Sequence, residues 1–242
     1  MVKLDKIPDK VYLGSNPEPI NPRELPIIGA GHDGIVFRLH DSALKVLKYD
    51  ICFREEKNLM TFEKALYFIK NLNLRMITQP SNIILDPYGK YAGYVMEYVD
   101  DISDEKAVGS FTTEELRDSI LAMSLDFQEL SENKVEANDL NRYSYLYAKD
   151  FLHLCDTDKY KIGTPTVSRN NENSLRYVYA RLLYFLMSSD TKLERRETKD
   201  LCGWVKKSTN SSRFLHDLIR ESEDFEFIGD LALQKRKSLI KR

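Results

Sequence analysis

The run Ile28-Gly29-Ala30-Gly31-His32-Asp33-Gly34-Ile35-Val36-Phe37-Arg38, followed by Ala43-Leu44-Lys45-Val46-Leu47-Lys48, constrains the fold of this chain more than any other stretch. Glycine tolerates positive φ and lacks a Cβ, so glycines at this spacing let backbone N–H groups close on a bulky anion. In a dinucleotide-binding unit the third glycine opens a helix, and an acidic residue comes roughly 20 residues later. Here the third glycine leads into Ile35-Val36-Phe37-Arg38-Leu39-His40, which is β-branched and aromatic at its start and reads as a strand. Asp41-Ser42 is a turn signal, and Ala43 to Leu47 reads as a second strand with Lys45 inside it. The expectation is a glycine-rich hairpin followed by a lysine-bearing strand.

That arrangement resembles the protein-kinase-like superfamily. By this resemblance Lys45 holds the α- and β-phosphates of ATP, and Gly29, Gly31, Gly34, Val36 and Ala43 surround the nucleotide. The 242 residues suffice for one bilobal domain or two small ones. A net charge of −2 gives no whole-molecule field towards nucleic acid or an anionic membrane, and neither is expected as a partner. Cys52, Cys155 and Cys202 are odd in number, far apart and without metal-ligand spacing, which suggests a reducing compartment. No apolar region follows Met1 as in a secretory signal, and no apolar run approaches the roughly 18 residues of a membrane helix. The expected location is cytoplasmic.

Residues 1–26 hold five of the eight prolines and read as an extended lead-in packed over the first lobe, neither helical nor centrally sheeted. After the lysine strand, residues 53–72 read as a helix whose Leu59, Phe62, Leu66 and Ile69 form a buried stripe. In the kinase fold a glutamate of this helix pairs with the strand lysine. Glu63, at the edge of the stripe, is the candidate, with Glu55 and Glu56 as rivals. Residues 82–99 read as a hairpin around the turn Asp86-Pro87-Tyr88-Gly89. Tyr94-Val95-Met96-Glu97-Tyr98-Val99 looks like the strand leading into the kinase hinge. The resemblance then makes Met96 the gate at the back of an adenine pocket and sets the backbone of Glu97 to Val99 against the adenine edge.

An acidic linker, residues 100–105, marks a lobe boundary. A helix follows, with Thr112 and Glu115 as capping box, Phe111 and Leu116 as staple, and Leu116, Ile120, Met123, Phe127 and Leu130 as its apolar stripe. Residues 136–147 and 151–158 resemble the catalytic and metal-binding loops of kinases. Asp139 matches the aspartate that orients the attacking hydroxyl and accepts its proton, and Asp156 the one that holds Mg²⁺. The 17-residue interval from one to the other suits a loop, a short hairpin and a second loop. Ala137 and Asn138 stand where kinases carry histidine and arginine, and Ser144 replaces the metal-binding asparagine. Serine can still ligate Mg²⁺. Asp158 adds a carboxylate that either compensates for Ser144 or is solvated.

Residues 174–187 are apolar nearly all round and read as a buried helix, with 159–173 as the loop before it. That leaves no room for a full activation segment, as in the compact kinase-like proteins of bacteria and phage. Residues 192–242 read as short helices with core faces from Trp204, Val205, Phe214, Leu215, Leu218 and Ile219, and a basic tail over 234–242 that reads as a solvated helix end. His32, His40, His153 and His216 have no ligand spacing. The expected fold is α+β and bilobal: residues 27–100 form a small antiparallel-sheet lobe with one helix, and residues 101–242 a mostly helical, truncated lobe. The resemblance implies γ-phosphoryl transfer from ATP, with Mg²⁺ or Mn²⁺, to a hydroxyl of protein Ser or Thr. The alternatives are a pseudokinase that binds nucleotide or scaffolds, and a kinase of a small-molecule alcohol.

Overall fold

The computed structural model describes residues 4–14, 16–49, 61–101, 111–140, 144–148 and 151–188, together with Arg220 and Asp224. The architecture is α+β. Seven strands, β1 (Val11–Leu13), β2 (Pro19–Ile20), β3 (Ile27–Ala30), β4 (Gly34–Leu39), β5 (Ser42–Leu47), β6 (Pro80–Leu85) and β7 (Tyr91–Glu97), form one sheet in the order β2-β1-β6-β7-β5-β4-β3. Every pairing in it is antiparallel. The glycine run makes the β3–β4 turn, and Lys45 lies mid-strand in β5 between the apolar Leu44 and Val46.

Strand alternation sends side chains to two cores. Leu44 and Val46 join Ile35, Phe37, Ile84 and Val95 on one face. Ala43, Tyr94 and Met96 join the helices on the other, the face to which Lys45 also belongs. Gly93 lies where β7 presses on β5. At φ +147° a Cβ there would meet the Lys45 carbonyl oxygen at 2.0 Å, so only glycine fits. The proline-rich segment packs over one face of the sheet through Leu4, Ile7 and Leu25, as expected, and its strands β1 and β2 also extend the sheet edgewise. β1 pairs with β6 and β2 is an edge strand, where the missing N–H of Pro19 costs nothing. Ile7 and Val11 are buried in the first of these cores.

Helix α1 (Phe62–Asn71) starts at the Thr61 cap, whose hydroxyl accepts from Lys64 N. Its buried face is Ala65, Phe68 and Leu72, and Phe62 is exposed. The stripe expected at Phe62, Leu66 and Ile69 is therefore corrected by a rotation about the helix axis. Phe68 sets the phase by packing on Tyr160, with ring centroids 6.2 Å apart. Leu59, Glu55 and Glu56 lie outside the described residues.

Helix α2 (Thr113–Glu132) carries the expected capping box, and all five residues of its expected stripe are buried. Each such side chain adds roughly 1.5–3 kcal/mol relative to exposure. Short strands follow: β8 (Val135–Glu136), β9 (Tyr145–Ala148), β10 (Phe151–Leu154) and β11 (Lys161–Ile162). β9 and β10 form the hairpin expected between the two aspartate loops. Helix α3 (Val167–Ser188) begins seven residues before the expected Ser174, a correction with a clear cause. Asn171 has poor helix propensity, but its buried amide is fully used by neighbouring backbone, and tertiary bonds override propensity. Tyr177 on α3 is exposed, against the expectation of burial all round. Residues 192–242 lie outside the described set except for Arg220 and Asp224. Among the described residues, no helix is long and apolar enough to cross a membrane.

Candidate functional site

A cleft of about 1000 Å³ lies between the sheet and the aspartate loops. Its roof is the glycine hairpin. The β3–β4 turn is closed by Gly31 N to Gly34 O at 2.9 Å, and the Lys48 ammonium donates to the carbonyls of Gly31 at 2.5 Å and His32 at 2.9 Å. Gly34 must be glycine, because a Cβ would meet the Val46 carbonyl oxygen at 2.6 Å. Every residue expected at the nucleotide (Gly29, Gly31, Gly34, Val36, Ala43, Lys45, Met96, Glu97 and Val99) lines this cleft, as do Asp139 and Asp156. Met96 closes the back, with Thr78 donating its hydroxyl to the Met96 sulfur at 3.7 Å.

Lys45 is buried and opposite Tyr94 in the sheet register. Its ammonium donates to Asp156 Oδ1 at 2.8 Å and to Asp158 Oδ1 at 2.5 Å. The Tyr94 hydroxyl donates to the same Asp158 oxygen at 3.2 Å. Burial alone would push the Lys45 pKa down, but Tyr94, Asp158 and Asp156 outweigh it and hold the lysine well above its usual value. Burial and then Asp158 push the Tyr94 phenol up, so it stays a donor.

Asp139 and Asp156 both adopt left-handed backbone, at φ 57° and 63°. A non-glycine residue there costs roughly 1–2 kcal/mol, least for Asn and Asp. Surrounding bonds hold the strain. Asn171 accepts from Ala137 N at 2.8 Å and donates to Val135 O at 2.7 Å and Ser131 Oγ at 3.0 Å. Ser174 donates to Ala137 O, and Thr164 to Glu136. Helix α3 thus fixes the backbone at Ala137, two residues before Asp139. Below the cleft, buried Asp126 on α2 accepts from the N–H groups of Arg75, Met76 and Ile77 at 2.6–2.9 Å. Its pKa is raised by burial, which outweighs those three bonds. The same segment pairs with β10 through Thr78 N to Leu154 O and Leu154 N to Met76 O, both 2.8 Å. β10 leads directly to Asp156.

Two expected site residues are not brought to the cleft. Glu63 is exposed in the first turn of α1, where its charge complements the helix N-terminus, and among the described residues Lys45 is bonded by Asp156 and Asp158 instead. Ser144 is buried, donates its hydroxyl to the Asp139 carbonyl at 3.4 Å, and is not part of the lining. Asp158 is buried rather than solvated. Its Oδ2 has no partner among the described residues.

Sequence reasoning missed three groups. Tyr94 was readable from pairing the two strands, since it faces Lys45 in register. Lys159 bonds Asp33 at 3.1 Å and Asp139 at 3.0 Å. Partial burial would lower its pKa, but those two carboxylates raise it. Nothing in the sequence signalled this cross-cleft pair of Lys159 and Asp33.

Among the described residues, no three His, Cys, Asp or Glu side chains form a protein-only metal cage. Mg²⁺ needs less, using one or two carboxylates with water and phosphate oxygens. Asp156 and Asp158 already share one cation, the Lys45 ammonium, and the unpartnered Asp158 Oδ2 adds a hard oxygen donor. This donor set fits Mg²⁺ or Mn²⁺ on phosphate. No protein-family model and no curated protein matches the chain.

Proposed function

We propose that the chain is a compact, bilobal, protein-kinase-like phosphotransferase that moves the γ-phosphoryl group of ATP to a hydroxyl of a protein Ser or Thr. In this reading residues 27–100, widened by residues 1–26, form the first lobe and residues 101–242 the second, with ATP and Mg²⁺ or Mn²⁺ between them. The observation that carries the reading is the ion pair of Lys45 with Asp156, 111 residues apart in the chain, beneath a glycine hairpin.

The glycine turn and Lys45 seat the phosphates, and the hinge backbone at Glu97 to Val99 takes the adenine edge. Asp156 and Asp158 hold the metal ion, which when bound neutralises charge on the phosphates. Asp139 aligns the acceptor hydroxyl and takes its proton as the new O–P bond forms and the bond to the ADP oxygen breaks. Positioning and charge neutralisation supply most of the rate.

Two other readings have support of their own. The hydroxyl of Ser144, turned to the Asp139 carbonyl, favours a pseudokinase that binds nucleotide without turnover. The short connection from Asp156 to α3, residues 157–166, lacks a peptide platform and favours a small-molecule alcohol as acceptor.

Turnover of γ-labelled ATP with Mg²⁺ or Mn²⁺ tests the reading, beside a thermal titration with ATP. The wild type should consume ATP, and Asp139→Ala and Asp156→Ala should each lose about 10²-fold or more. Label on protein selects the Ser/Thr acceptor. A raised Tm without turnover selects the pseudokinase. No binding and no turnover sinks the nucleotide site altogether.

A further inference from the structure

We propose that Lys159 is a catalytic residue, the cation that meets the phosphoryl group in flight between ATP and the acceptor. The proposal rests on the phosphotransferase reading and adds a residue to it. Lys159 bonds two carboxylates from opposite sides of the cleft, Asp33 Oδ2 at 3.1 Å and Asp139 Oδ2 at 3.0 Å. Asp33 belongs to the glycine turn that seats the phosphates, next to Gly34. Asp139 faces the acceptor. A side chain that reaches both lies between the end of the phosphate chain and the incoming hydroxyl.

The local fold presents this side chain to the cleft beside Asp156 and Asp158. Lys159 closes a 3₁₀ turn, Thr157–Lys159, whose Thr157 and Asp158 are buried, and Tyr160 after it is fully buried. Asn138, beside Asp139, donates to the Lys159 carbonyl at 3.4 Å. Backbone and neighbours are fixed, while the ammonium side chain keeps 26% of its exposure. Its ion pairs are therefore partly solvated and exchangeable.

Charge gives the second argument. The glycine turn carries a carboxylate, Asp33, which opposes a terminal phosphate unless a cation covers it. Lys45 is taken up by Asp156, Asp158 and the inner phosphates it seats, and Lys48 is bonded to the carbonyls of Gly31 and His32. Among the described residues lining the cleft, Lys159 is the lysine left to answer that charge. Charge in phosphoryl transfer spreads over the equatorial oxygens, where a fixed cation is most effective. Lys159 exchanges Asp33 for a γ-phosphoryl oxygen and keeps Asp139. The acceptor O–P bond forms, the bond to the ADP oxygen breaks, and the hydroxyl proton passes to Asp139.

The test is the affinity of the full chain for AMP-PNP and for ADP, each with Mg²⁺, by calorimetry, alongside turnover. Lys159→Met should weaken AMP-PNP about tenfold or more, as loss of one charged hydrogen bond implies, and leave ADP within about twofold. Its turnover should fall about 10²-fold, with partial rescue in Lys159→Arg. Asp33→Asn should tighten AMP-PNP and leave ADP unchanged, which keeps the idea exposed even if Lys159→Met folds poorly. Equal loss for both nucleotides, no loss, or faster turnover in Lys159→Met overturns the proposal while the kinase reading stands. A wild type that binds neither nucleotide overturns both.

Discussion

Asp158, 1% exposed between Lys45 and Tyr94, has a different weight from Asp156, 40% exposed on the same ammonium. Breaking a buried pair strands a charge, so Asp158→Asn should cost about 3 kcal/mol in urea unfolding. Asp156→Asn should cost about 1 kcal/mol or less, because its pair is solvated. Lys45 has a raised pKa, so its share of stability is complete below its ordinary 10.5 and is lost only as pH rises through the higher folded value. The Asp158→Asn deficit should therefore stay flat between roughly pH 6 and 9. Asp126 has the same sign in a lower pH window. Burial raises its carboxyl pKa above 3.8, so the folded state binds a proton first and gains stability as pH falls through that window. Asp126→Asn turns a donor towards three N–H groups and should cost about 2 kcal/mol at pH 7, and more at pH 4. Lys45, Asp139 and Asp156 were legible because each sits in a local pattern with a recognisable frame. Lys159 and Asp33 were not, since their meeting depends on how two distant loops face one another.

At the scale of elements, the strands and α2 could be read because their patterning and caps are local. Glycine spacing, the Asp86 turn and the Thr112–Glu115 box each specify geometry within a few residues. Helix α1 was found with its face out of phase, Ile69 packing on the core but Phe62 exposed, because its phase comes from Phe68 meeting Tyr160, 92 positions later. The start of α3 was missed because Asn171 earns its helical place only through bonds to β8 and its flanks. Asn171→Leu should cost about 2–3 kcal/mol in thermal or urea unfolding, since it leaves buried Ala137 N–H and Val135 C=O groups unpaired. On the proposed function it should also lower turnover by loosening the segment that carries Asp139. Gly93→Ala should cost about 3 kcal/mol or more, because positive φ and contact with the Lys45 carbonyl act together. Chemical denaturation with far-UV circular dichroism checks both.

For the whole molecule, the α+β class was legible from the order of strand and helix patterns. The edgewise growth of the sheet was not, because proline counting excludes central strands without saying which edge a strand joins. Deleting residues 1–25 should strip Ile7 and Val11 from the core and bare the β6 edge, giving concentration-dependent aggregation by light scattering. The bonds at residues 75–78 carry a further consequence. Asp126 and Leu154 sew this connection to the helical half, and Tyr147 N is tied to Asp101 at 2.8 Å across the cleft's other margin. On the bilobal reading proposed above, these bonds are two seams that stitch the sheet to the helices, so the two covers of the book part very little. Traffic in and out then uses the remaining page, the hairpin that ends at edge strand β3, once its Asp33–Lys159 clasp opens. Paired spin labels should give narrow distances between β7 and α2 and, on the proposed function, a broad distribution that ATP narrows between the β3–β4 turn and α2.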